Sequence, residues 1–135
     1  MFVHQTKWQK RLLNLYGSEI CLLDATYNTS KYELPLFFIC VNTNVGYINV
    51  ATFIVSDETS SSIVEGLKII RDWNKDWEPP YFMTDNDSSE IAALEELFPG
   101  NLINFTEFSF RWMNVTSKHH HSRVECKRTI LPCCL

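Results

Sequence analysis

The sequence predicts an α/β domain in which helices pack on a mixed β-sheet. Three apolar runs of strand length come first, and the segments between them are short and rich in Asn, Thr, Ser, Pro and Gly, which favours antiparallel links. Two segments with apolar residues at helical spacing follow, with a short apolar run between them. A strand, a helix and a second strand normally form a right-handed parallel crossover, so the later strand is expected beside one of the first three.

Length, composition and charge narrow the class of protein. The chain has 135 residues, the size of one domain. With 45% hydrophobic and 13% aromatic residues, it falls outside the disordered and collagen-like classes. The formal net charge of -4 argues against tight nucleic-acid binding through overall charge. Basic residues still cluster near both ends of the chain: Lys7, Lys10, Arg11, Lys118, Arg123, Lys127 and Arg128. Each cluster is either an ordinary solvated surface or a local contact surface.

The first half of the chain predicts one helix and three strands. Residues 5–16 place Trp8 and several leucines among polar residues, which is typical of a short amphipathic helix that ends at Gly17. The apolar runs predict strands at residues 20–23, 36–41 and 47–55, and the third of these is rich in β-branched residues.

The second half alternates helix and strand. A one-sided apolar pattern after Ser56, preceded by several capping candidates, predicts a helix that closes near Trp73 and Asn74. The Trp-Glu-Pro-Pro sequence at residues 77–80 breaks any helix. Beyond it we expect a short buried strand at 81–83, a helix from Ser88 to the Pro99-Gly100 stop, and a candidate fifth strand at 102–105.

Two aspartates follow apolar strands, Asp24 after the first and Asp85 after the strand at 81–83. If these strands are parallel neighbours, both carboxylates emerge at one edge of the sheet. A divalent cation relieves the repulsion between two such carboxylates, and Mg²⁺ or Mn²⁺ suits oxygen ligands. The alternative is that both are strand-end or capping residues. Asp87 is more simply the N-cap of the following helix.

Histidines and cysteines give a weaker metal signal. Three adjacent histidines cannot all face one ion in regular structure, and the cysteine spacings do not match a zinc site, so we favour an incidental polar tail over a metal site: His119, His120, His121, Cys126, Cys133 and Cys134. Cys21 and Cys40 lie in apolar runs and are expected as buried thiols. No signal-peptide or membrane-spanning stretch is seen, so we expect an intracellular, soluble protein without a membrane partner.

The four tryptophans are expected as core or edge anchors, although an exposed one could stack on a nucleic-acid base: Trp8, Trp73, Trp77 and Trp112.

A dense set of motifs spans residues 5–100. Its members are Gln5-Thr6, Trp8-Gln9, Leu12-Leu13, Tyr16-Gly17, Leu22-Leu23-Asp24-Ala25-Thr26-Tyr27, Tyr32, Leu34-Pro35-Leu36-Phe37-Phe38, Thr43-Asn44-Val45-Gly46-Tyr47, Trp73-Asn74, Trp77, Phe82-Met83-Thr84-Asp85 and Phe98-Pro99-Gly100. With these motifs the chain resembles the RNase H-like domain of zinc-finger SWIM-domain proteins (one/three subgroup). That domain is similar to the catalytic core of Mutator-like (MULE) DDE transposases.

The resemblance implies that Asp24 and Asp85 hold the first two positions of a DDE-type metal triad. It also implies a third acid and a Cys/His SWIM zinc finger further along the chain. The sequence departs from the family after Gly100, where Glu107 and Glu125 are the only later carboxylates and neither has a matching context. DNA as a partner and a nuclear location are further expectations from the resemblance.

The sequence thus predicts three segments: an N-terminal helix or extension at 1–17, an RNase H-like domain at 18–105, and a degenerate or poorly ordered tail at 106–135. We expect a catalytically inactive, transposase-derived fragment that serves as a structural or nucleic-acid-associated module. The alternative is an active metal-dependent DDE-type transposase or nuclease. The missing third acid favours the first hypothesis.

Overall fold

The computed structural model describes residues 1–26, 31–85 and 87–105. This part of the chain forms six strands and three helices. In order they are β1 (Phe2–His4), α1 (Lys7–Tyr16), β2 (Ile20–Thr26), β3 (Leu36–Thr43), β4 (Gly46–Ile54), α2 (Ser60–Trp73), β5 (Tyr81–Thr84), α3 (Ser88–Leu97) and β6 (Leu102–Phe105).

The strands form one mixed sheet with the order β1-β4-β3-β2-β5-β6. Strands β2, β3 and β4 are joined as the predicted antiparallel meander, and β1 pairs antiparallel with β4. Strand β5 lies parallel to β2, and β6 lies parallel to β5. The expected crossover is therefore confirmed, and it brings the first and fourth predicted strands side by side.

Polar caps define where the helices begin. Thr59 accepts a hydrogen bond from the Ser62 amide at the start of α2, and Asp87 caps α3, as predicted. Helix α1 begins at Lys7, so the predicted start at residue 5 is wrong. Thr6 has an extended backbone and forms a capping box with Gln9, so the helix begins at the next residue.

Strand β1 was not predicted. Its three residues alternate between exposed and half-buried and make no apolar run. The strand forms because β4 offers an edge, where Phe2, Val3 and His4 pair with Ile54, Phe53 and Thr52. A pairing between such distant residues leaves no local signal in the sequence.

The core lies between one face of the sheet and the helices. Phe37 and Phe53 stack on neighbouring strands with ring centroids 4.9 Å apart. Gly66 in α2 lies against the Phe53 ring, where a methyl group would collide with it. A second cluster joins Trp77 to Phe82 and Phe98 through edge-on and tilted ring contacts.

The expected core role of Trp77 is therefore confirmed, while Trp8 and Trp73 are exposed. Cys21 and Cys40 are buried free thiols, as expected. None of the helices in residues 1–26, 31–85 and 87–105 combines the length and the apolar character of a membrane span. The predictions for the tail at 106–135 lie outside the described residues, together with Glu107, Glu125, Trp112 and the histidine and cysteine cluster.

Candidate functional site

Asp24 lies on the face of β2 that points away from the core. Side chains alternate between the two faces of a strand. Cys21 and Leu23 belong to the core cluster, and Ala25 packs against it. Asp24 therefore shares the opposite face with Thr26, two residues further along. Asp24 is nevertheless 9% exposed, so its carboxylate is held largely away from water.

Asp85 follows β5 at the level of Asp24. The parallel register pairs Leu22 with Met83, and two further residues on each strand bring Asp24 level with Asp85. Neighbouring strands are about 4.8 Å apart. The predicted parallel pairing of β2 with β5 is therefore confirmed, and its register puts Asp24 and Asp85 at the same edge of the sheet.

The two carboxylates influence each other electrostatically. The pKa of Asp24 is raised to about 7, first by burial and then by the negative charge of Asp85, against the lowering effect of a hydrogen bond from the backbone of Ala25. The pKa of Asp85 is also raised, by burial and by the charge of Asp87. Both groups therefore hold their negative charge at a cost that a nearby cation would remove.

Asp87 is committed to the helix that follows. Its Oδ1 accepts hydrogen bonds from the backbone N–H groups of Ser89 and Glu90, at 2.8 and 3.1 Å. The predicted N-cap role is confirmed. This cap holds the start of α3, which lies three residues after Asp85.

Glu90 is a third acid near this edge, and the sequence did not single it out. It is 2% exposed, and its Oε2 accepts a hydrogen bond from the Thr84 hydroxyl. Burial raises the pKa of Glu90 to about 8, and the charges of Asp87, Asp85 and Asp24 raise it too, against the effect of the Thr84 bond. Its place in the first turn of α3 is typical of a capping residue, so no sequence signal marks the burial.

Cys40 adds no ligand to the site at neutral pH. Burial raises the pKa of this thiol to about 12, and the charges of Asp24 and Cys21 act in the same direction. Only the thiolate binds metals and reacts as a nucleophile. Cys40 is therefore a buried neutral neighbour of the aspartates.

The donor set at this edge fits a hard divalent cation. Two carboxylates with raised pKa values supply charged oxygen ligands, which Mg²⁺ and Mn²⁺ prefer. Thr26 Oγ1 is buried and has no hydrogen-bond partner among the residues that the structure describes. Thr26 is two residues after Asp24 on β2, so its hydroxyl oxygen lies on the same face of the sheet as the Asp24 carboxylate.

The same edge lacks a complete triad within the described chain. Among residues 1–26, 31–85 and 87–105, no group of three or more His, Cys, Asp or Glu side chains is arranged to hold a metal ion. Asp24 and Asp85 are brought together, whereas Glu90 is directed to Thr84. Glu107 and Glu125 lie outside this part of the chain.

Comparison with known proteins identifies the family of the chain and solved structures with a similar fold. The family model described as "Zinc finger SWIM domain-containing protein 1/3, RNaseH-like domain" matches residues 1–103. The HTLV-2 integrase catalytic core domain, solved in complex with magnesium, has a similar fold, with a TM-score of 0.51 and 18% sequence identity over 68% of this chain and 62% of that chain. These two matches confirm the predicted RNase H-like α/β fold.

Two weaker similarities were found. A catalytic core domain of BIV integrase gives a TM-score of 0.47 at 12% identity, over 74% of this chain and 62% of that chain. The PKS-NRPS hybrid synthetase cheA of Chaetomium globosum is 34% identical over 82 residues. Those residues are 58% of this chain but 2% of the synthetase, so the chain spans a very small part of that relative.

Proposed function

Because the chain belongs to the family of zinc finger SWIM domain-containing protein 1/3 RNaseH-like domains, we propose that it is a nucleic-acid-associated module that binds a divalent cation and does not cleave nucleic acid by itself. Its fold is related to integrase catalytic cores. In this proposal the module descends from a Mutator-like transposase and was domesticated for a role on DNA in the nucleus.

The observation that carries the cation site is the pair of Asp24 and Asp85 on neighbouring parallel strands. These carboxylates would hold Mg²⁺ or Mn²⁺, with the Thr26 hydroxyl as a neutral oxygen nearby. The integrase core with the similar fold is described as a magnesium complex. Such an ion, when bound, polarises phosphoryl oxygens and activates water.

The proposed lack of cleavage rests on the number of acids. Two-metal phosphoryl transfer needs ligands that hold both ions in register. Within residues 1–26, 31–85 and 87–105 two aspartates come together, while Glu90, the third acid near them, is bonded to Thr84 and completes no metal-binding group. Loss of a group that stabilises the charge of the transition state typically lowers rates by orders of magnitude.

An active transposase or nuclease is the second candidate function. The intact pair of Asp24 and Asp85 favours it, because these are two of the three positions that the family resemblance assigns to metal ligands. Glu107 and Glu125, or Glu90 after release from Thr84, are the candidates for the third acid in this chain.

Metal binding and cleavage can be measured separately on the same protein. We expect Mn²⁺ to bind the wild-type chain weakly, as detected by electron paramagnetic resonance of the free ion, and to raise its thermal unfolding temperature. Asp24→Ala and Asp85→Ala should lose both effects, while Asp72→Ala, at an exposed position on α2, should keep them. Equal Mn²⁺ binding in all four proteins would refute the cation site.

For cleavage, supercoiled plasmid and labelled duplex are incubated with the wild type and the two alanine variants in Mg²⁺ or Mn²⁺. We expect no nicking or strand transfer above the level of the variants. Cleavage that requires both aspartates and stops on chelation would replace the proposal with the enzyme hypothesis. Further loss on Glu107→Gln or Glu125→Gln would then identify the third ligand.

A further inference from the structure

The exposed face of α1 combines three cations with an exposed indole ring. Lys7, Trp8, Lys10 and Arg11 are all exposed, and 59% of Trp8 is accessible to water. At about 3.6 residues per turn, Arg11 lies between Lys7 and Trp8 on the helix surface. The four residues therefore form one continuous surface over the first turn and a half of the helix, which we call the α1 surface.

Helix stability does not explain these cations. Helix α1 has no acidic residue in its first turn, where a negative charge would favour the helix dipole and a positive charge opposes it. Lys7 is also three and four residues from Lys10 and Arg11, spacings at which like charges destabilise a helix. Each of these effects makes α1 less stable than it would be with neutral residues.

Ion pairing does not explain them either. Among the described residues the one ion pair joins Arg71 to Glu78, so no carboxylate there neutralises the α1 surface. The polar contacts that attach this end of α1 to the domain are made by neutral side chains. Gln5 and Gln9 donate to the carbonyl oxygens of Val50 and Asn49.

We infer that the α1 surface binds an unpaired nucleic-acid strand, with Lys7, Lys10 and Arg11 on backbone phosphates and Trp8 stacked on a base. The inference rests on the nucleic-acid association proposed above and names the surface that makes it. A cationic surface in a chain of net charge -4 concentrates an anionic partner at one place. The indole adds what simple phosphate binding does not require, because an aromatic side chain stacks on unpaired bases.

The experiment uses the full chain and a fluorescently labelled oligothymidine, with fluorescence anisotropy as the readout and EDTA present throughout. Trp8→Ala is compared with Trp73→Ala, which removes an exposed tryptophan from the end of α2. The combined change of Lys7, Lys10 and Arg11 to Gln is compared with the same change at Lys31, Lys68 and Lys75, three exposed lysines elsewhere. The two triple variants have the same net charge, and circular dichroism checks that all variants fold.

We expect Trp8→Ala to weaken binding about tenfold, in line with the loss of one stacked base, and Trp73→Ala to leave it unchanged. The α1 triple variant should lower the slope of log affinity against log salt by about 2, since each phosphate contact on a single strand contributes about 0.7, and the control triple should lower it much less. The wild type should prefer the oligothymidine to a duplex of equal length.

Equal losses in the two triple variants, or equal effects of the two tryptophan changes, would show that the α1 surface is not the binding site. In that case nucleic-acid association and the cation site would both stand. If the wild type bound neither the oligothymidine nor the duplex at low salt, both the inference and the nucleic-acid association would be overturned. The Mn²⁺ result would still stand, because this experiment contains no divalent metal.

Discussion

At the scale of single residues, the notable feature is acid groups held away from water. Asp24 and Glu90 are buried, and neither makes an ion pair within the described chain. Burial of a carboxylate without a cation costs free energy, so such residues seldom serve stability. The cation proposed above would account for this cost at Asp24 and Asp85, whereas Glu90 can avoid it by keeping its proton.

The first prediction concerns Asp24. At pH 8 without divalent metal, Asp24→Asn should raise the free energy of unfolding by about 1 kcal/mol after allowance for solvent screening, because it removes a buried charge and its repulsion with Asp85. Urea unfolding in EDTA measures this change. Added Mn²⁺ should stabilise the wild type and leave the variant unchanged. A variant less stable than the wild type in EDTA would indicate a structural role for the charge.

The second prediction concerns Glu90 and pH. Its pKa is raised from 4.5 to about 8 in the folded protein. Between these pH values the folded state keeps a proton that the unfolded state has lost, so stability is highest below the unfolded pKa and falls as pH rises toward 8. The wild type should lose roughly 2–4 kcal/mol between pH 5 and pH 8 from this group.

Glu90→Gln keeps an oxygen that can accept the Thr84 hydrogen bond and cannot ionise. It should match the wild type near pH 5, exceed it at pH 8, and show a much flatter pH dependence in urea unfolding. Glu95→Gln, at an exposed position on the same helix, is the matched control. Parallel pH profiles for the wild type and Glu90→Gln would mean that Glu90 ionises freely in the folded protein.

At the scale of elements, close packing fixes the position of α2 on the sheet. Its buried residues recur at helical spacing and include Ile63, Gly66, Leu67 and Ile70. Gly66 lies where the helix approaches the Phe53 ring most closely. That ring is itself stacked on Phe37 in the core, so it has little room to move.

The third prediction follows from this approach. Gly66→Ala gains about 1 kcal/mol of helix propensity, but overpacking against a fixed ring costs about 1–3 kcal/mol. We expect a net loss of about 1 kcal/mol in urea unfolding. Lys68→Ala, at an exposed position on α2, should change stability by less than about 0.5 kcal/mol. A more stable Gly66→Ala protein would show that α2 lies further from the sheet than described.

At the scale of the whole molecule, the sheet order decides which strands are edges. β1 and β6 are the outer strands, and β1 covers β4. β4 is a nine-residue strand with strongly apolar sequence. Without β1, the backbone groups at Thr52, Phe53 and Ile54 would lose their partners on this side, and an unpaired strand edge is a template for association with another chain.

The fourth prediction removes that cover. A chain that lacks residues 1–4 should be about 1–2 kcal/mol less stable, through the loss of three strand pairs and the packing of Val3 on the core. It should also self-associate as its concentration rises, as detected by sedimentation velocity. Phe2→Ser, which changes an exposed side chain and keeps the strand, is the control. A monomeric truncated chain would show that β4 is protected in another way.

Local signals in the sequence were enough to predict most of the helices and strands. Apolar periodicity and capping residues identified α2, α3 and the strands from β2 to β6, because these features depend on neighbours in the chain. The parallel pairing of β2 with β5, which brings Asp24 and Asp85 to one edge of the sheet, was also predictable, since a right-handed crossover leaves few places for β5.

Three features depend on tertiary contacts: strand β1, the burial of Glu90 and the exposure of Trp8. Strand β1 exists because β4 has a free edge, Glu90 is buried because α3 lies over the end of β5, and Trp8 faces water because α1 turns Leu13 toward the core instead. Each outcome depends on contacts between residues far apart in the chain. Local sequence patterns do not depend on such contacts, so they cannot show whether a given side chain is buried or exposed.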